Sequence, residues 1–136
     1  MVPLEVNPRY TSSVEVIERT SSMPLIHYHE LACQGRLPDN VSDPTGVMGK
    51  AVLYAPRDIE ISMDLPGNVN RDEDNGVILA DIPARGALIK NGHPVLTILL
   101  RGKNCDTCLR SLSVAADKIY KLLLSPHKFN RMTSTL

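Results

Sequence analysis

The first residues of the chain alternate between apolar and polar side chains. Leu4 and Val6 are apolar, whereas Glu5 and Asn7 are polar. A period of two is typical of a strand that has one apolar face. Pro8 cannot donate a backbone hydrogen bond to a sheet, so we expect this strand to end there.

Helical patterns follow the strand. Ser12 and Glu15 form a Ser-x-x-Glu capping box, which predicts the start of a first short helix. A second helix is predicted from Pro24, which suits a first turn, to Gly35, which suits the residue after a helix end. From Leu109 to Leu123 apolar residues again recur every three or four positions. They predict one long amphipathic helix, capped by Asn104 or Asp106.

Between residues 50 and 100 the apolar residues form short runs bounded by turn residues, a pattern typical of strands. Asn91-Gly92 lies between the last two runs and predicts a β-hairpin with a type I′ turn. Residues 62–76 contain Pro-Gly and a cluster of charges, which predict a long solvated loop. This loop is also the segment of the chain for which disorder is most expected. The predicted strands are 51–54, 58–61, 77–80, 87–89 and 95–100. A strand, two short helices, a small antiparallel sheet and a closing helix predict an α+β fold.

The composition excludes several functional classes. The 136 residues carry 15 basic and 15 acidic side chains, so no strong positive field is available for a nucleic-acid backbone. The chain has no run of roughly 18 apolar residues, the length that a membrane span needs. Three cysteines do not form a disulfide framework. We therefore expect a cytoplasmic protein that binds neither nucleic acid nor membrane.

Candidate chemistry lies on the polar side of the first strand. Glu5, Asn7 and Arg9 share one face of an extended chain. Carboxylate and amide oxygens suit Mg²⁺, which usually keeps waters and substrate phosphates as its other ligands. The guanidinium of Arg9 is a rigid fork that suits phosphate or carboxylate. The alternative interpretation is a polar strand edge without a ligand.

This run resembles the Glu-x-Asn-x-Arg signature of the ATP-grasp superfamily. The resemblance continues in the order found in carboxylate–amine ligases of this group, through Tyr10-Thr11-Ser12-Ser13, Glu15, His29, Ala32 and Cys33 to Gly35-Arg36-Leu37-Pro38. It implies that Glu5 and Asn7 hold Mg²⁺ against the phosphates of ATP, and that Arg9 binds phosphate or the acceptor carboxylate. It also implies that Tyr10, Ser12 and Ser13 border the acceptor pocket.

The resemblance has consequences for domain organisation. Residues 1–38 are expected to form the C-terminal edge of an ATP-grasp domain, and residues 39–136 a small C-terminal domain. The run from Gly86 to Val95 resembles the hairpin of barrel-sandwich hybrid domains. The chain is then the C-terminal portion of an ATP-dependent carboxylate–amine or carboxylate–thiol ligase, expected to be inactive without its N-terminal ATP-grasp region. Its expected partners are that region, a small-molecule carboxylate and a second copy of itself. The alternative is a non-catalytic module for interaction or dimerisation.

Two further motifs have alternative interpretations. Cys105-x-x-Cys108 could form a zinc site with His29 and Cys33, or a redox pair. We favour a core position for Cys108 and a surface position for Cys105. Lys90 lies beside a turn, as does the modified lysine of biotinyl and lipoyl domains, but a solvated turn lysine is the expected role.

Overall fold

The computed structural model describes residues 9–40, 43, 46–65, 68–69 and 76–125. These residues form helices and a small antiparallel sheet, which confirms the predicted α+β class. The elements are α1 (Ser12–Ser21), α2 (Leu25–Cys33), β1 (Val47–Tyr54), β2 (Ile59–Glu60), β3 (Asn68–Val69), β4 (Val77–Ala80), β5 (Leu88–Ile89), β6 (Pro94–Gly102) and α3 (Cys105–Leu124).

The main sheet has four antiparallel strands in the order β1, β6, β4, β3, and a separate pair joins β2 to β5. Ile98 on β6 lies opposite Ala51 on β1 and Leu79 on β4. This inner position explains why every residue from Val95 to Leu100 is buried. A strand covered on both faces has a continuous apolar run instead of an alternating one.

The predicted hairpin around Asn91-Gly92 is wrong, because β5 pairs with β2 and not with β6. The turn itself is present: the His93 N–H donates to the Lys90 carbonyl over 3.0 Å. Gly92 has a positive φ of 76°, whereas Asn91 does not. This is the requirement of a type II turn and not of type I′. Type II turns splay the flanking strands apart, which sends β5 and β6 into different sheets.

Helix α3 covers one face of the main sheet at very short range. A Cβ atom added to Gly49 of β1 would lie 2.7 Å from Cys108 Sγ and 2.6 Å from Leu112 Cδ1. One added to Gly102 would lie 2.9 Å from the Cα of Cys108. The two glycines therefore permit the close approach of helix and sheet. The core between α3 and the main sheet includes Leu53, Leu96, Ile98, Leu100, Cys108, Leu112, Ala115 and Ile119.

The predicted ends of the helices are partly confirmed. Asn104 caps α3, since its side chain accepts a 2.9 Å hydrogen bond from the Thr107 N–H. Gly35 ends α2 with a φ of 73° and donates to the Ala32 carbonyl over 3.0 Å, as in a Schellman motif. The Ser12–Glu15 capping box is wrong, because the N-cap of α1 is Thr11 and makes no side-chain cap.

The predicted loop at 62–76 contains β3. Residues 66–67 and 70–75, on which the expectation of disorder mainly falls, lie outside the described residues.

Candidate functional site

Arg9 is the predicted site residue that the structure describes. It is exposed and precedes the N-cap Thr11 of α1 by two positions. Glu5 and Asn7 lie outside the described residues, so their metal-binding role stays a prediction. Only three residue steps separate Arg9 from Ser12, and a fully extended chain of this length spans about 11 Å. Whatever Ser12 lines is therefore close to Arg9.

Ser12 lines a cleft of about 410 Å³. The cleft opens on the sheet face opposite α3, because Lys50 and Val52 alternate along β1 with residues that face this helix. The lining is mixed, with apolar residues from β1 and β6 and two charged side chains, Lys50 and Asp81. We call it the second-face cleft. It is formed by Ser12, Lys50, Val52, Tyr54, Asp81, Pro94, Val95, Leu96 and Thr97.

Helix α1 is held on β1 by a charge cluster beside this cleft. Lys50 Nζ lies 2.6 Å from Glu15 Oε2, and Arg19 Nε lies 3.2 Å from Glu15 Oε1. The Lys50 side chain is only 17% exposed and that of Glu15 21% exposed. The guanidinium of Arg101 also donates to the Arg19 carbonyl. The hydrogen bond from Lys50 is the main reason that the pKa of the Glu15 carboxyl is lowered from its ordinary value.

This lowered pKa predicts a pH-dependent stability. A carboxyl group with a lower pKa in the folded state contributes stability above its unfolded pKa, ordinarily about 4.3 for Glu. That contribution is lost as the pH falls below this value towards the folded pKa. We expect Glu15→Gln to lower the free energy of unfolding at pH 7 by up to about 1 kcal/mol, and to have a smaller effect at about pH 3, which is below the unfolded pKa of Glu, so that part of this contribution has been lost.

Urea unfolding of both proteins at the two pH values measures this difference. Glu60→Gln is the matched control, because Glu60 is exposed on β2 and has no ion-pair partner among the described residues. A deficit of equal size at both pH values would show that the charge of Glu15 does not stabilise the docking of α1.

Asp81 lies at the opposite side of the cleft, directly after β4. Its backbone has a φ of 55°, in the left-handed region that Asp and Asn tolerate better than most residues. Its Oδ2 accepts a 2.7 Å hydrogen bond from Thr97 Oγ1, and Thr97 is only 3% exposed. Among the residues that the structure describes, no cation forms an ion pair with Asp81. The carboxylate is thus held in place by a neutral donor.

Tyr54 borders the same cleft at a β-bulge. The register between β1 and β6 shifts at Leu53/Tyr54, and Tyr54 faces Pro94, which has no N–H to donate. The hydroxyl of Tyr120 on α3 supplies backbone hydrogen bonds at this position in place of the strand partner. It donates to the Tyr54 carbonyl over 2.9 Å and accepts from the Tyr54 N–H over 3.3 Å. Helix α3 therefore fixes the backbone of a residue that lines the opposite face of the sheet.

No protein-family model, no curated protein and no solved structure matches this chain.

Tyr10 and Ser13, which the resemblance places at the acceptor pocket, do not line this cleft. The Tyr10 hydroxyl donates to Glu18 Oε2 over 2.6 Å, and this hydrogen bond raises the pKa of Tyr10 to about 12. The other oxygen of Glu18 accepts from the Leu25 N–H over 2.8 Å. Ser13 lies 2.8 Å from the side chain of Thr11. These contacts join the approach to α1 with the start of α2.

The cysteine prediction is confirmed, since Cys105 is exposed and Cys108 is buried. Burial is the main reason that the pKa of the Cys108 thiol is raised. Cys33 Sγ lies 3.9 Å from His29 Nε2 on exposed α2. In the described ranges of the chain, no three or more His, Cys, Asp or Glu side chains form a group that could hold a metal ion. The zinc alternative therefore has no support there.

Lys90 is 73% exposed at its turn, and its Nζ lies 2.7 Å from Asp58 Oδ2. The Asn91 N–H donates to the other oxygen of Asp58 over 2.9 Å. The hydrogen bond to Asp58 raises the pKa of Lys90 and lowers that of Asp58. The contacts of Lys90 and Asn91 with Asp58 thus hold the turn against the start of β2.

In the described part of the chain, no helix is both long and apolar enough to cross a bilayer.

Lys50 and Asp81 were not singled out as site residues from the sequence. Each lies at one end of an apolar run, where charged residues commonly mark a strand end. Nothing local distinguishes them, since they come to line one cleft through the pairing of β1 and β4 with β6.

Proposed function

We propose that the chain is the C-terminal portion of an ATP-dependent carboxylate–amine or carboxylate–thiol ligase that acts through an acyl phosphate. The observation that carries this proposal is the course of the chain after Arg9. The signature run leads within three residues to Ser12, which lines a cleft with two charged side chains. An arginine for phosphate and a cleft for a second substrate would then lie side by side.

The roles of the residues follow from their chemistry. Glu5 and Asn7 would hold Mg²⁺, because their oxygens are ligands of the type it prefers. Bound Mg²⁺ offsets the negative charge of the ATP phosphates. Arg9 would bind the transferred phosphoryl group or the carboxylate by a bidentate contact. The ion pair between Glu15 and Lys50 would keep the helix after Arg9 in place on the sheet, which preserves the orientation of the arginine.

A second candidate function is a non-catalytic interaction or dimerisation module. One observation favours it: no residue of α2 is buried. Ile26 on this helix is 60% exposed, and Leu37 after it is 82% exposed. Both functions are compatible if this apolar surface packs against an ATP-grasp region or against a second copy of the chain.

The proposed ligase is tested with the complete protein that carries this chain. The protein is incubated with Mg²⁺, ATP and a panel of small carboxylates, and hydroxylamine is added to trap an acyl phosphate as a hydroxamate. We expect ADP and hydroxamate to form in equal amounts with at least one carboxylate, and neither to form without Mg²⁺. The 136-residue chain alone is the control and is expected to be inactive.

Two results would contradict the proposal. One is the absence of carboxylate-dependent ADP formation in the complete protein. The other is binding of Mg·ATP by the 136-residue chain alone with a dissociation constant of about 1 μM, because one arginine and two oxygen ligands do not form a complete phosphate cradle.

A further inference from the structure

We propose that the second-face cleft binds an organic ammonium ion, a primary amine with a small apolar body, and that Asp81 is its anchor. The inference rests on the proposed function and deepens it, because it assigns a place to the amine substrate. It concerns binding by this chain, so it can be tested without the ligase reaction.

Asp81 is a suitable anchor because its negative charge has no partner in the described structure. Glu15 is paired with Lys50 and Arg19, and Asp58 is paired with Lys90. Asp81 is exposed, and its hydrogen-bond partner among the described residues is the hydroxyl of Thr97, which orients the carboxylate and does not compensate its charge. A carboxylate of this kind binds an ammonium group through charge-assisted hydrogen bonds.

The walls of the cleft suit the body of an amine. Val52 is 38% exposed and Tyr54 is 52% exposed, although both lie on a strand of the main sheet. Their exposed surface offers apolar contact, and an aromatic ring attracts a cation at its face. Pro94 adds a further apolar contact at the bulge.

The second charged residue of the cleft lies at its other side and is partly compensated. Lys50 Nζ is 2.6 Å from Glu15 Oε2, and Arg19 shares this carboxylate over 3.2 Å. The cleft is therefore polarised, with positive charge beside α1 and an unpaired carboxylate after β4. A cation is attracted to the Asp81 side of the cleft, whereas an anion is repelled there.

The position of the cleft fits the order of the proposed reaction. Ser12 lines the cleft and Arg9 lies within about 11 Å of it along the chain. An amine held by Asp81 would thus occupy the same cleft that Ser12 lines, and Ser12 follows by three residues the arginine that is proposed to bind the acyl phosphate. Proximity of this kind lowers the entropic cost of a reaction between two substrates.

The experiment is a titration of the 136-residue chain, labelled with ¹⁵N and observed by NMR, with benzylamine. Benzyl alcohol and benzoate serve as neutral and anionic probes of similar shape. We expect benzylamine to shift the amide signals of Tyr54, Asp81 and Thr97, and to bind about tenfold or more tightly than benzyl alcohol, as a charged hydrogen bond predicts.

Asp81→Asn is expected to lower the affinity for benzylamine by about tenfold or more. Asn tolerates the positive φ at this position and can still accept from Thr97, so the substitution removes mainly the charge. Asp117→Asn is the matched control, because Asp117 is exposed on α3, which covers the opposite face of the sheet. It should bind benzylamine as the unmodified chain does.

Equal binding of benzylamine and benzyl alcohol would overturn the proposal, and this comparison needs no variant. Preferential binding of benzoate, or the absence of shifts at the cleft with all three probes, would overturn it as well. The two proposals can fail separately. If the chain binds benzylamine through Asp81 but the complete protein shows no carboxylate-dependent ADP formation, the amine site is supported and the ligase function is rejected.

Discussion

Replacement of Ile98 by alanine is expected to lower the free energy of unfolding by about 2–5 kcal/mol. Ile98 is 0% exposed and lies on the inner strand β6, between Ala51 of β1 and Leu79 of β4. It belongs to the core beneath α3, which is already close to the sheet at Gly49 and Gly102. A helix in such close contact has little room to move inwards, so we expect the cavity to persist.

Urea unfolding followed by circular dichroism measures this change. Leu88→Ala is the matched control, because Leu88 lies on β5 and is 76% exposed. Its substitution should change the free energy of unfolding by only about 0.5 kcal/mol. Equal losses in the two variants would show that Ile98 does not lie in the main core, and that the pairing of β6 with β1 and β4 is wrong.

If the proposed ligase function holds, Glu5→Gln in the complete protein is expected to lower the rate of ADP formation by about 10²–10³-fold, by analogy with the loss of one group that stabilises charge in a transition state. The substitution keeps the size of the side chain and removes the charge proposed to hold Mg²⁺. Initial rates of carboxylate-dependent ADP formation, taken over a range of Mg²⁺ concentrations, measure the effect.

Glu60→Gln is the control for this variant, because Glu60 is an exposed carboxylate on the small β2–β5 pair, and its substitution should leave the rate unchanged. A Glu5→Gln enzyme with normal turnover at saturating Mg²⁺ would remove Glu5 from the site. The interpretation of Glu5, Asn7 and Arg9 as a polar strand edge would then be favoured.

Local signals predicted several features correctly. Asn104 caps α3 and Gly35 ends α2, as expected from their residue types. Both predictions depend on hydrogen bonds within a few residues of the chain. The Ser12–Glu15 capping box was also a local signal, but the helix begins one residue earlier in register, with Thr11 as its N-cap. Ser and Thr are both accepted at an N-cap, so residue type alone does not choose between neighbouring positions.

The sequence by itself determined the α+β class, the long closing helix and the division of the cysteines between surface and core. These features follow from periodicity and from the residues at helix ends, which act over one or two turns. The pairing of strands was decided only by the tertiary structure. The turn at Gly92 takes a type II geometry, and β5 joins β2 through contacts with residues 30 positions earlier, such as Ile59 with Ile89.

The second-face cleft was likewise decided by the tertiary structure. Glu15 and Lys50 are 35 positions apart, and Thr97 and Asp81 are 16 apart. Glu15 reaches Lys50 because α1 packs on β1. Lys50 and Asp81 line one cleft because β1 and β4 pair on either side of β6 in one register. A shift of one residue in either pairing would turn Lys50 or Asp81 to the other face. No local sequence pattern predicts the register of β1 and β4 against β6. This register depends on which faces of the sheet are buried by α1 and by α3.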